Sequence, residues 1–161
     1  MLYQGIILNE AAIHPSRDLA YRIAWRSQEL LGNKEFVLFD DALPVLRDLK
    51  ARKLVTALLT NATRTQISVY RKLGLEPLLD VVITSEEVGE EKPKPRIFLT
   101  ALERAGLAAS EVLYVGDQYA ADVLGARGVG IEALLLDRND FSPEVTDCPR
   151  IRSLGEVLRF I

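Results

Sequence analysis

The sequence has very little cysteine and no long apolar segment. Cys148 is the only cysteine among 161 residues, so the chain cannot form an internal disulfide. No run approaches the ~18 apolar residues of a membrane span, and no N-terminal segment joins basic residues to a long apolar stretch. These absences argue against a disulfide scaffold and a membrane protein, and they favour a cytoplasmic location.

The charge is also unremarkable in sign and size. The chain has 20 basic and 23 acidic residues and a net charge of -3, which gives no electrostatic footprint for nucleic acid or an anionic membrane. Any binding of phosphate must therefore be local. With 48% apolar residues, the length suits one domain with one sizeable core, so we predict a single domain over residues 1–161.

Short apolar runs alternate with segments of helical period along the chain. The runs are apolar throughout, which is typical of parallel strands that helices cover on both faces. Sheets of this kind bind ligands beyond the carboxyl ends of their strands. We predict strands near 4–8, 54–60, 80–84, 112–116 and 131–136, and helices near 16–31, 41–52, 63–73, 95–105, 119–127 and 153–160.

Polar groups follow several of these predicted strands. Thr60 and Asn61 end the run LLTN, and a hydroxyl with free backbone N–H groups before a helix suits a phosphoryl oxygen, although a simple helix cap has the same pattern. Lys92 lies in EEKPKPRIF, where a lone loop lysine is usually solvated. In GDQYAAD, Asp117 and Asp122 can face one divalent cation or can serve as a cap and a surface acid.

Together and in this order, the three elements resemble the haloacid dehalogenase superfamily of hydrolases. LLTN is similar to its motif II, the lysine of EEKPKPRIF to motif III, and GDQYAAD followed by GARGVG to motif IV, over a match from about residue 40 to the C-terminus. The resemblance implies an α/β, Rossmann-like three-layer sandwich with a five-stranded, mainly parallel sheet. It also implies a central first strand ending in motif I, hhhhDxDGT, whose first Asp attacks phosphorus and whose second Asp is the general acid and base.

Motif I then falls on NEAAI, after the predicted strand at 4–8. Asn9 stands at the nucleophile position and Ala11 at the general-acid position. A carboxamide is a very poor nucleophile compared with a carboxylate. Ala11 cannot transfer a proton, a contribution worth ~10²–10⁴-fold in such reactions. Glu10 should point away from the face that carries Asn9 and Ala11, because side chains alternate across a strand.

The binding part of the site survives this loss. The resemblance implies that Mg²⁺ binds weakly here, since one charged ligand is missing. It assigns the catalytic positions to Asn9, Ala11, Thr60 and Lys92, phosphate binding to Thr60, Asn61 and Lys92, and the metal to Asp117, Asp122, the Asn9 amide oxygen and the Ala11 carbonyl.

Motif I has one competing position, and the segment before motif II is short. Asp40 and Asp41 are adjacent rather than one residue apart, and only about 20 positions separate them from Thr60, too few for a parallel crossover. The connection at about 14–39 has room for one helix and the FVLF run, so we predict a capless or minimally covered site.

The leading hypothesis is a family member that binds a phosphorylated small molecule or protein partner with impaired catalysis. The alternative is an active Mg²⁺-dependent phosphomonoester hydrolase with atypical chemistry. A phospho-acceptor receiver domain fits less well, because it needs an early acidic pair and an acceptor Asp before the Thr. We predict neither a nucleic-acid nor a membrane partner, and the sequence leaves the oligomeric state open.

Overall fold

Short parallel strands and the helices between them form the part of the chain that the structure describes. The computed structural model describes residues 37–61 and 64–161, with the side chains of 64–67 excepted. The strands are β1 (Ala57–Thr60), β2 (Val81–Thr84), β3 (Leu113–Gly116), β4 (Glu132–Leu136) and β5 (Arg150–Ile151). The α-helices are α1 (Ala42–Ala51), α2 (Arg64–Lys72), α3 (Ser85–Val88), α4 (Pro95–Ala105) and α5 (Leu124–Arg127).

All strand pairings among these residues are parallel. β1 pairs with β2, with Thr60 opposite Thr84, and β4 lies between β3 and β5. The predicted central strand 4–8 and the predicted helix 16–31 lie outside the described residues. The parallel α/β arrangement is confirmed, whereas a strand that joins the two described sets stays a prediction.

The strands carry side chains to two separate hydrophobic clusters. Along β3, Tyr114 packs against one cluster, while its neighbours Leu113 and Val115 pack against the other. β4 alternates in the same way, since Ala133 and Leu135 belong to the first cluster and Leu134 to the second. Side chains of α4 occupy the first cluster and those of α1 the second, so helices cover both faces as the three-layer prediction requires. The first cluster includes Ile97, Phe98 and Ala101 from α4, and the second includes Val45 from α1.

Helix α4 agrees with the predicted range 95–105 at both ends. Pro95 occupies the first turn, where its missing N–H has no helical partner to lose. Gly106 ends the helix with φ 67°, a left-handed conformation that a residue without a side chain adopts at little cost. The helix thus begins three residues after Lys92 and fixes the exit of its loop.

Asp41 has a structural role at the start of α1. Its carboxylate accepts two hydrogen bonds from the Arg138 guanidinium, both 2.8 Å long, and one of 2.7 Å from the Leu154 amide. The bonds from Arg138 hold the pKa of Asp41 below its ordinary value, against the opposing effect of burial. Asp41 directly precedes Ala42, the first residue of α1, in agreement with the predicted helix at 41–52. The placement of motif I at NEAAI stays a prediction.

Several predicted elements differ from the observed ones in detail. β1 begins at Ala57 rather than 54, because Leu54 still donates its amide to Leu49 at the end of α1. The segment 119–127 opens with a π turn, Tyr119–Val123, before α5, and the segment near 153–160 is a 3₁₀ helix, Leu154–Arg159. A capping box opens this helix, since Glu156 Oε1 accepts the Ser153 amide at 3.1 Å.

Leu38–Ile161 forms one compact unit. Placing residues 1–37 in the same domain, with a short connection at about 14–39, stays a prediction. Among the helices described, none combines the length and the apolar character needed to cross a membrane.

Candidate functional site

Lys92 lies where β1, β3 and the loop before α4 meet. Its ammonium donates to Asp122 Oδ1 at 2.6 Å, to the Tyr114 hydroxyl at 3.2 Å and to the Leu59 carbonyl at 3.3 Å. The Lys92 side chain is only 13% exposed and that of Asp122 3%, so the two charges neutralise each other in a largely dry setting. The lysine that the sequence left open as a solvated loop residue is therefore held within the protein.

Asp122 is placed by the π turn that follows β3. Its Oδ2 accepts the Gln118 amide at 3.0 Å, while Oδ1 faces Lys92. The turn passes so close to Gly116 that a Cβ there would lie well under 3.0 Å from the Asp122 side chain. The glycine of the GDQYAAD segment is thus required for the position of the acid.

Tyr114 completes the cluster from β3. Its hydroxyl donates to Asp122 Oδ1 at 3.0 Å and its ring packs edge-on against Phe98, with centroids 5.4 Å apart. Burial, and secondarily the negative charge of Asp122, raises the pKa of the Tyr114 phenol far above its ordinary value of 10.0. The hydroxyl therefore keeps its proton throughout the neutral range and remains a donor to Asp122.

Asn61, directly after β1, holds the backbone of the lysine loop. Its side-chain Nδ2 donates to the Lys92 carbonyl at 3.2 Å and its Oδ1 accepts the Lys92 amide at 2.8 Å. Thr60 is half-buried at the last position of β1. The predicted phosphate residues Thr60, Asn61 and Lys92 are thus brought to one edge of the fold.

Asp117 has surroundings that differ from those of Asp122. It is exposed immediately after β3, and its carboxylate makes no hydrogen bond or ion pair with the residues described. A free carboxylate of this kind fits a hard cation such as Mg²⁺, whereas both oxygens of Asp122 already face protein donors. Within 37–61 and 64–161, no group of three or more acidic, His or Cys side chains is gathered to hold a metal.

The remaining site predictions concern Asn9 and Ala11, which lie outside the described residues. Sequence reasoning missed Tyr114 and the Leu59 carbonyl. A phenol inside the apolar run VLYVG was the one available signal for Tyr114, since a buried hydroxyl needs a partner. No side-chain pattern could have indicated a backbone carbonyl.

The chain belongs to the haloacid dehalogenase-like hydrolase family, whose model matches residues 8–130. That match includes all three motif segments and the NEAAI stretch. The family assignment made from the motifs is confirmed.

Some of the curated relatives with similar sequences are named as phosphatases. A ribulose-1,5-bisphosphate 5-phosphatase of Halopiger xanaduensis is 36% identical over 91% of this chain and 61% of its own length. A phosphoserine phosphatase of Thermus thermophilus is 36% identical over 77% of this chain and 51% of its own length. The chain thus spans about half to three-fifths of the length of these two relatives.

Solved structures share the fold. A HAD phosphatase from Thermococcus onnurineus superimposes with a TM-score of 0.72 at 34% identity, covering 76% of this chain and 57% of its own. The HAD-hydrolase YfnB from Bacillus subtilis, solved with bound magnesium, has a TM-score of 0.73 at 21% identity, covering 98% of this chain and 78% of its own. The Rossmann-like fold of the family is therefore shown for this chain.

Proposed function

We propose that this chain binds a phosphorylated small molecule or protein partner through a site that keeps its lysine but has impaired turnover. One observation carries the proposal. Lys92 is paired with buried Asp122 at the ends of β1 and β3, while the sequence has Asn9 and Ala11 where the family resemblance expects two reactive carboxylates.

The proposed anion lies beyond the end of β1. The Lys92 ammonium, the Thr60 hydroxyl and the N–H groups near Asn61 donate hydrogen bonds to phosphoryl oxygens there. The Asn61 side chain acts indirectly, because its two bonds to the Lys92 backbone keep the loop in place. Hydrogen bonds of this kind to a charged oxygen are about twice as strong as neutral ones.

Asp117 is the described acid best suited to a magnesium ion. Asp122, the Asn9 amide oxygen and the Ala11 carbonyl complete the ligand set that the family resemblance implies. Mg²⁺ bound at these residues would offset phosphoryl charge. We expect weak binding without an anion, because Asn9 is uncharged and affinity for hard cations follows the charge of the ligands.

Calorimetric titration with orthophosphate, with and without Mg²⁺, tests binding. Lys92→Met should abolish phosphate binding, and Asp117→Asn should abolish the gain in affinity that Mg²⁺ gives. Lys94→Met is the matched control, since Lys94 is exposed two residues further on. If Lys94→Met weakens binding as much as Lys92→Met, general surface charge holds the anion and the proposal is wrong.

Lys92→Met leaves Asp122 without its cation, so the double variant Lys92→Met/Asp122→Asn accompanies it. This pair is uncharged at both positions and should fold better while still failing to bind phosphate. Phosphate affinity equal to that of the parent in the double variant would contradict a role for Lys92.

Single-turnover hydrolysis of a small aryl phosphate tests the impairment. The double variant Asn9→Asp/Ala11→Asp should gain slow Mg²⁺-dependent activity, and either single variant much less, since attack and proton transfer need both groups. The phosphatase names of the relatives favour a second candidate, an active phosphomonoester hydrolase with atypical chemistry. A parent as active as the double variant, and inactive after Asp117→Asn, would establish that second candidate.

A further inference from the structure

The ammonium of Lys92 already has a complete set of acceptors. An ammonium has three N–H donors, and three acceptors lie within hydrogen-bond distance of this one: Asp122 Oδ1, the Tyr114 hydroxyl and the Leu59 carbonyl. A phosphoryl oxygen that binds Lys92 must therefore replace one of the three. The acceptor that the phosphoryl oxygen replaces determines the direction from which the ligand binds the ammonium.

The three acceptors differ in strength. The bond to Asp122 is charged and short, at 2.6 Å, and both partners are largely buried, so it is the hardest to break. The Leu59 carbonyl is neutral and, at 3.3 Å, the most distant of the three. Leu59 also immediately precedes Thr60, at the strand end where the phosphoryl group is proposed to bind. The bond to Leu59 is thus one of the two weaker, neutral bonds of the ammonium, and of those two it is the one at the end of β1.

Tyr114 is fixed in the orientation that Lys92 needs. The hydroxyl oxygen lies 3.0 Å from Asp122 Oδ1 and 3.2 Å from the Lys92 ammonium, so it contacts both members of the ion pair. The ring is held by Phe98, and Lys92 Nζ lies 5.8 Å from the ring centroid. The Tyr114 hydroxyl oxygen therefore contacts both Asp122 and Lys92, and the packing of its ring against Phe98 keeps it in place.

We propose that Tyr114 is a positioning residue for the lysine: its hydroxyl holds Lys92 on Asp122, so that the N–H facing the Leu59 carbonyl is the one that turns to a phosphoryl oxygen. This inference rests on the proposed function of the same site. It adds the residue that orients the lysine and the bond that the ligand replaces.

Tyr114→Phe tests this role while keeping the ring and its contact with Phe98. Without the hydroxyl, one ammonium N–H loses its acceptor and the lysine loses its orientation. Orthophosphate measured without Mg²⁺ should bind about two- to tenfold more weakly, the effect of one net hydrogen bond. The matched control is Tyr119→Phe, whose hydroxyl also donates to a carboxylate, Asp147, at 2.7 Å. That variant should bind phosphate as the parent does.

A spectroscopic signal separates positioning from a general structural role. The ¹⁵N signal of the Lys92 ammonium should be sharp in the parent and in Tyr119→Phe, and broadened in Tyr114→Phe. Weaker phosphate binding by Tyr114→Phe with an unchanged Lys92 signal would overturn the inference, since the tyrosine would then not act through the lysine. Unchanged phosphate binding by Tyr114→Phe would overturn it as well, while the proposed function would stand.

A phosphate titration of the parent protein tests the same inference without any substitution. As phosphate is added, the carbonyl ¹³C signal of Leu59 should shift, while the ring carbon that bears the Tyr114 hydroxyl stays in place. A shift at Tyr114 without one at Leu59 would show that the ligand replaces the wrong acceptor and would defeat the inference. A parent that binds no phosphate would end both this inference and the proposed function.

Discussion

Gly116→Ala perturbs the site through a single added methyl group. That Cβ would lie well under 3.0 Å from the Asp122 side chain, while Asp122 is 2% exposed and has little room to retreat. Either the π turn shifts, or the carboxylate moves off Lys92. The variant is therefore expected to separate a buried ion pair without touching either charge.

The magnitude follows from these two costs. Overpacking a buried site costs ~1–3 kcal/mol, and a buried charge that loses its partner costs ~3–5 kcal/mol. Because one displacement causes both, we expect a loss of about 3–5 kcal/mol in the free energy of unfolding. At ~2–4 °C per kcal/mol for a chain of this size, the melting temperature should fall by roughly 6–20 °C.

Thermal unfolding followed by circular dichroism measures this fall. Gly155→Ala is the control, because its Cβ would meet only Ser153 Oγ, at 3.8 Å, and the residue lies outside the site. In an Asp122→Gly background, which removes the nearest clashing atoms, Gly116→Ala should cost much less. A melting temperature within about 2 °C of the parent would refute the reasoning about close packing.

Three further changes are expected to have measurable effects. Asp41→Asn should reduce stability at neutral pH but not in strong acid: the lowered pKa of Asp41 gives stability that is present above its ordinary 3.8 and is lost as the pH falls through the folded-state value. Urea unfolding from pH 2 to 7 checks this, and a pH-independent difference would exclude the bond to Arg138 as its source. Asn61→Ala removes two hydrogen bonds to the Lys92 backbone, so it should lower the free energy of unfolding by about 1–2 kcal/mol and also weaken phosphate binding. An unchanged melting temperature would show that these two bonds do not hold the lysine loop. Lys92→Met should lower the free energy of unfolding in urea by ~3–5 kcal/mol, and adding Asp122→Asn should restore most of it. If the second change restores nothing, the loss does not come from leaving Asp122 without Lys92.

Local patterns predicted the elements of the fold well. Pro95 and Gly106 mark the two ends of α4 in the sequence, and the structure agrees with both. Apolar runs located β2 and β4 to within one residue. β5 was missed because two residues, Arg150 and Ile151, form no apolar run, and only the neighbouring strand makes them a strand.

The sequence brought out residues that the structure places together, but it did not show how they are bonded. The motifs selected Lys92 and Asp122 from the sequence, but not the fact that they face each other, which depends on the π turn beyond Gly116. Helical periodicity cannot distinguish a π turn from an α turn at this length. The turn carries Asp122, whose Oδ1 accepts from the lysine, whereas Asp117 lies before the turn and is exposed.

The pairing of Lys92 with Asp122 bears on the proposal of anion binding with impaired turnover. A largely buried ammonium without a counter-charge would cost several kcal/mol. If the lysine depended on an acid at position 9 for that charge, Asn9 would leave it unpaired. Asp122 supplies the charge instead, at 2.6 Å, and the Tyr114 hydroxyl and the Leu59 carbonyl satisfy the other two donors. If Asn9 and Ala11 occupy the motif I positions, as the family resemblance implies, reactive groups are missing there while Lys92 keeps these three partners. For this reason we propose anion binding together with impaired turnover.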